Sequence, residues 1–175
     1  LLTGIDSIET IEGFEGDKKL EVDDLLVLLL GYEGHRASSF LARFSPAKIL
    51  PIIGVPGVNK EEDELFVNKV IESNYNLLRK HNVLRDGDGN FYTAPSLDPE
   101  AFFYRLEEII KSLDIGDFDV TISPIGTRPQ TLGLYLYCRK HPETQAIYSV
   151  PIKRFDINES NGQEKKFFIY KLPPS

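Results

Sequence analysis

The 175-residue chain contains one cysteine, Cys138, and neither methionine nor tryptophan. A lone cysteine cannot close an intrachain disulfide, so stability has to come from a packed core, and the composition fits a reducing, cytoplasmic compartment. Long apolar runs are also missing. The longest, Leu25–Leu30, is strand-sized, far short of the ~20 residues a membrane span needs. Leu1-Leu2-Thr3-Gly4 has neither the basic residues nor the apolar stretch of a signal peptide. With no methionine even at position 1, the chain is expected to be a fragment of a longer protein. Positive charge is in deficit: 20 Lys and Arg stand against 27 Asp and Glu, for a net charge of −7. That excludes the broad basic surface of a general nucleic-acid backbone binder.

Several chemical signatures are absent as well. The first strand is followed by Gly31-Tyr32-Glu33-Gly34-His35-Arg36, which is not the G-x-G-x-x-G of dinucleotide enzymes. No Walker loop and no G-x-S-x-G elbow occurs. His35, His81, His141 and Cys138 have no metal-ligand spacing, so neither metal nor cofactor is expected. Asp86-Gly87-Asp88-Gly89-Asn90 begins like a calcium loop, but Phe91 stands at the sixth position and Leu97 at the twelfth, where glycine and glutamate are needed. A plain turn is the reading. His81 and His141 read as exposed helix ends, Cys138 as a buried inert thiol, and Glu61–Glu64 and Glu107-Glu108 as solvated faces.

What remains is an ordinary globular composition, 41% hydrophobic and 27% charged, sized for one domain over residues 1–175. Residues 1–24 carry no clear pattern. Leu25–Leu30 is apolar without alternation, the mark of a strand covered on both faces. A helix over His35–Phe44, a strand over Lys48–Ile53 and a long helix from Asn59 to about Lys80 follow. Residues 81–96 hold a turn cluster, and Asp98-Pro99 opens a further helix as N-cap and first helical position. Phe118–Ile125 reads as a strand, 126–130 as a loop, Thr131–Lys140 as a helix and Ala146–Pro151 as a strand. Residues 152–172 read as a hairpin about Glu159-Ser160-Asn161-Gly162. This order predicts an α/β, three-layer Rossmann-like domain, with a mostly parallel sheet and a C-terminal β-hairpin.

Ligands of such sheets bind beyond the carboxyl ends of the strands. The turns expected there contribute Gly34, His35 and Arg36 after the first strand, and Gly54 and Gly57 after the second. Gly126, Thr127, Arg128, Gln130 and Thr131 follow the third. Gly126 permits close backbone approach, Thr127 supplies a hydroxyl and Arg128 a fixed charge, and a helix N-terminus behind them suits phosphate. Arg36 is a second phosphate candidate, and Glu33 with His35 is a candidate acid–base pair. Gly133, inside the helix, is expected to permit close packing.

The stretch Asp119–Gly133 resembles the end of the CRISPR-associated Rossmann-fold (CARF) sensor domains, which carry a strand, a loop of the type G-[GT]-[TK]-x-M and a small-residue helix. Gly126 and Thr127 match that loop, and Arg128 stands where lysine is common. Ile125 and Gln130 depart from it, replacing glycine and methionine. The resemblance implies a homodimeric sensor of cyclic oligonucleotides in antiviral defence, with ligand lying across the dimer at the strand ends. It also implies a separate effector. No arginine here has a histidine five to seven places later, so an R-x4-6-H ribonuclease module would lie beyond Ser175.

The first expectation is therefore a binding or sensing domain for a phosphate-containing small molecule such as a nucleotide. A small hydrolase or transferase using Glu33, His35 and Arg36 is the second, and a non-catalytic protein-interaction module the third.

Overall fold

A computed structural model of the chain describes residues 2–17, 24–32, 34–113, 118–154 and 170. The elements are β1 (Leu2–Thr10), β2 (Asp24–Leu30), α1 (Gly34–Leu41), β3 (Lys48–Val55), α2 (Lys60–Ser73), α3 (Tyr75–Lys80), β4 (Tyr92–Pro95), α4 (Pro99–Ser112), β5 (Asp119–Pro124), α5 (Arg128–Lys140) and β6 (Gln145–Arg154).

The unbroken apolar run of β2 is explained by burial on both faces. Successive side chains of a strand point to opposite faces. Leu26, Leu28 and Leu30 share a core with Phe40 of α1, Val70 of α2 and Leu77 of α3. Leu25, Val27 and Leu29 share another with Phe102 and Leu106 of α4 and Leu134 of α5. Burying one such leucine contributes about 1.5–3 kcal/mol, so this strand anchors both cores.

The sheet has six strands in the order β1-β6-β5-β2-β3-β4. β2 through β6 run parallel to their neighbours, and β1 is antiparallel to β6. From β2 the chain steps outward through β3 to β4, then returns to the other side of β2 to form β5 and β6. The order therefore reverses between β2 and β5.

Helix starts follow their caps. Asn59 accepts the Glu62 N–H at 2.9 Å, and Asp98 accepts those of Glu100 and Ala101 at 3.0 Å. The long helix read over 59–80 is in fact two, broken at Asn74. The buried Asn74 side chain donates to the Gly31 carbonyl and back to the Val70 carbonyl, each at 2.9 Å. A contact distant in sequence thus sets the break.

Two strands were not foreseen. β1 occupies part of the unassigned 1–24 segment, and β4 emerges from the 81–96 turn region, pairing Thr93 with Ile53. The turn before β4 is built on Asp86, whose carboxylate accepts the Asp88 and Asn90 N–H groups at 3.0 and 2.7 Å. Residues 152–154, read as the start of a hairpin, continue β6, which pairs Arg154 with Leu2. Apart from Tyr170, whose hydroxyl donates to the Leu97 carbonyl, the rest of that hairpin lies outside the described residues. No helix among the described residues is long and apolar enough to cross a membrane.

Candidate functional site at the strand-order reversal

β2 and β5 are adjacent and in register, with Leu29 opposite Pro124. Their following turns leave the sheet at the same height, about 5 Å apart. A side-chain carbon added to Gly31 would stand 3.7 Å from the Ile125 carbonyl oxygen, so the two turns meet at their base. Asn74 holds the Gly31 carbonyl from the α2–α3 break.

The turn after β5 is organised by a reciprocal cap. The Thr127 N–H donates to Gln130 Oε1 at 2.9 Å, and the Gln130 N–H donates to Thr127 Oγ1 at 3.4 Å. The Thr127 hydroxyl donates to the Ser96 carbonyl at 2.6 Å, tying the turn to the β4–α4 connection. α5 accordingly starts at Arg128, not at Thr131 as the sequence reading has it. Gln130 is 1% exposed. A Cβ on Gly54 would stand 2.7 Å from its Nε2, and one on Gly126 would collide with its Oε1. These two glycines make room for the Gln130 amide. Gly54 and Gln130, expected to touch ligand, are buried, and Gly126 and Thr127, expected to do the same, are half-buried beside them.

The amide inventory follows. Thr127 and Gln130 N–H groups are used by the cap, Pro129 has none, and the Thr131 N–H donates to the Thr127 carbonyl at 3.1 Å. The Thr131 hydroxyl bonds the same carbonyl at 3.2 Å. Of the first turn, only the Arg128 N–H is without a partner among the described residues. This helix start is not the open cradle of N–H groups the sequence suggested. The Arg128 side chain, by contrast, is exposed and makes no hydrogen bond or ion pair with a described residue.

Arg36 is placed differently from expectation. It is 6% exposed. Its Nε donates to Ser149 Oγ and its Nη2 to the Ser149 carbonyl, both at 2.9 Å, and it lies 5.1 Å from the Tyr148 ring centroid. It binds α1 to β6. His35, next to it, is exposed and has no hydrogen bond to a described residue. Glu33 lies outside the described residues. Gly34 is buried against the Ser73 carbonyl, which any Cβ would strike. Gly57 is elsewhere: its N–H donates to Asp63 Oδ1 at 2.9 Å, beside an open groove of about 900 Å³ along α2. The turn after β2 leads to Gly34 and His35 and the turn after β5 to Arg128 and Thr131, and the two turns meet at Gly31 and Ile125. Tyr32, half exposed and set at a tilt against Phe66, lies on the turn after β2 and is not singled out by the sequence reading.

The strongest electrostatics lie at the opposite edge of the sheet. A cavity of about 370 Å³ sits by the start of β5, between the C-terminal ends of α4 and α5. Glu107, read from sequence as solvated, is 7% exposed. Its carboxylate meets Lys140 Nζ at 2.8 Å and His141 Nε2 at 2.9 Å. Lys140, then His141, hold its pKa down to about 2. His141 is half-buried, not a free helix end: its Nδ1 lies 3.2 Å from Glu143 Oε1, and its ring stacks on Tyr137 at 4.4 Å. Burial, aided by the Glu143 carboxylate, pushes the Tyr137 hydroxyl well above its ordinary range. Burial also pushes the Cys138 thiol up to about 12, keeping it inert as expected. Among the described residues, no group of acidic, histidine or cysteine side chains has the geometry to hold a metal.

Comparison of the chain with protein-family models gives no match, and comparison with curated proteins gives none. The site is therefore read from its own geometry.

Proposed function

We propose that the chain is a three-layer Rossmann-like domain that binds a phosphate-containing small molecule, a nucleotide or cyclic oligonucleotide, across the carboxyl ends of β2 and β5. The observation that carries this reading is the reversal of strand order there, with Arg128 exposed and unpaired among the described residues beside it. Open α/β sheets take ligands at such a reversal, because the loops on its two sides diverge to opposite faces and leave a crevice. Arg128 supplies a charge that no described residue pairs, and His35 a second polar group. The net charge of −7 does not oppose this, since one local cation suffices for a small anion. In this reading the unit works as a homodimer, as the CARF resemblance implies, and its role is sensing. Turnover has no support from the described residues, because His35 has no described carboxylate to orient it.

A thermal-shift screen against mononucleotides, dinucleotides, and linear and cyclic oligonucleotides tests the proposal. A ligand at ~100 times its dissociation constant stabilises the fold by ~2.7 kcal/mol. The expected result is a shift with one ligand class that Arg128→Ala abolishes. No shift with any nucleotide would contradict it and favour a protein-interaction module.

A further inference from the structure

Of the large hydrophobic side chains exposed among the described residues, Tyr32 alone lies on a turn at the strand-order reversal. It is 51% exposed. The others lie on helices, on β6 or, for Val58, on the turn after β3. Two contacts fix its position. The preceding Gly31 carbonyl is held by Asn74 Nδ2 at 2.9 Å. The Tyr32 ring rests on Phe66 of α2, with centroids 4.9 Å apart and planes at 58°. The ring thus contacts an aromatic partner while half the residue stays open to water. Phe66 packs with the core shared by α1 and α2, whereas Arg128 begins the helix on the other face. Tyr32 follows β2 and Arg128 follows β5, the two strands that meet at the reversal.

We infer that Tyr32 is the platform on which the aromatic base of the nucleotide stacks. The inference rests on the binding reading above. Base stacking on an aromatic side chain tolerates any base, because every base has a π-face, so Tyr32 selects for a ring rather than for a sequence. Phe66 sets the tilt of the platform. Asn74, by fixing the turn, keeps it in place before ligand arrives.

The test is calorimetric titration with two probes that share a triphosphate, ATP and inorganic tripolyphosphate. Wild type is compared with Tyr32→Leu, Tyr32→Phe and Arg128→Ala. Leucine keeps an apolar contact to Phe66 but has no flat ring; phenylalanine keeps the ring. The expected result is that ATP binds more tightly than tripolyphosphate. Tyr32→Leu should weaken ATP roughly tenfold or more and leave tripolyphosphate unchanged. Tyr32→Phe should retain ATP binding, and Arg128→Ala should weaken both probes. Equal affinity for the two probes, with Arg128→Ala weakening both and Tyr32→Leu weakening neither, would overturn the role of Tyr32 and leave an anion site. Binding of neither probe would overturn Tyr32 as a platform for a mononucleotide, while the oligonucleotide screen above decides the binding site itself.

Discussion

The two edges of the sheet treat charge in opposite ways. At the amino edge, Glu107 is buried and answered by Lys140 and His141, and His141 is answered again by Glu143. At the carboxyl edge, Arg128 and His35 are exposed and have no hydrogen-bonding partner among the described residues. The largest shifts of acidity belong to the first edge, yet every charge of its central cluster is engaged by a neighbour. Perturbed titration is a pointer to chemistry only when some group is left available to act. The amino edge therefore ties α4 to the end of α5, and the proposed recognition falls at the edge whose charges no described residue pairs.

The carboxyl edge is itself divided, and the largest expected effect tests that division. Its glycines make room for packing rather than for ligand. Gly34→Ala drives a Cβ into the Ser73 carbonyl, a backbone atom that cannot step aside. We expect a loss of about 3 kcal/mol in urea unfolding. A neutral outcome would show that the α1 start is not seated as described.

The next effect sharpens the contrast from the amino edge. Glu107 has a folded pKa of about 2 against an ordinary 4.5. Its contribution is therefore fully present above about pH 4.5 and lost as pH falls toward about 2. Allowing for the half-exposed Lys140, that contribution is about 2 kcal/mol. Glu107→Gln should lose about this much at pH 7 and flatten stability between those pH values. Equal slopes for variant and wild type would remove the tie. Thr127→Ala breaks the reciprocal cap and the bond to Ser96, and should cost about 1 kcal/mol, read as a lower unfolding midpoint. At the bottom of the scale, His35→Ala should change stability by less than about 0.5 kcal/mol. A larger change would place His35 within the fold rather than at its open edge.

Much of this architecture is legible in the residues. Leu25–Leu30 announces a strand buried on both faces, and Asn59 and Asp98-Pro99 mark helix starts by side-chain chemistry alone. β1 and β4 escape because edge strands bury little and need no strong pattern. The break at Asn74 escapes because its cause, the Gly31 carbonyl, is remote in sequence. The Glu107–His141 pair escapes for the same reason: nothing near Glu107 says that the end of α5 will cover it. The cap at the proposed site was readable, since Thr127-Arg128-Pro129-Gln130 has the form of a capping box. That form predicts the reciprocal Thr127–Gln130 bonds and a helix start at Arg128. The burial of Arg36 on Ser149 carries no local signal. The same sequence logic that located the loops could not say which of their side chains face inward.

The most direct test of the central claim is the thermal stability of wild type and Arg128→Ala, each with and without saturating ATP. Arg128 is exposed, so the two should unfold within about 0.5 kcal/mol of each other without ligand. With ATP, wild type should gain stability and the variant little or none. Equal gains in both proteins would contradict a nucleotide site that uses Arg128 at the reversal between β2 and β5, and no gain in either would contradict a mononucleotide as its ligand.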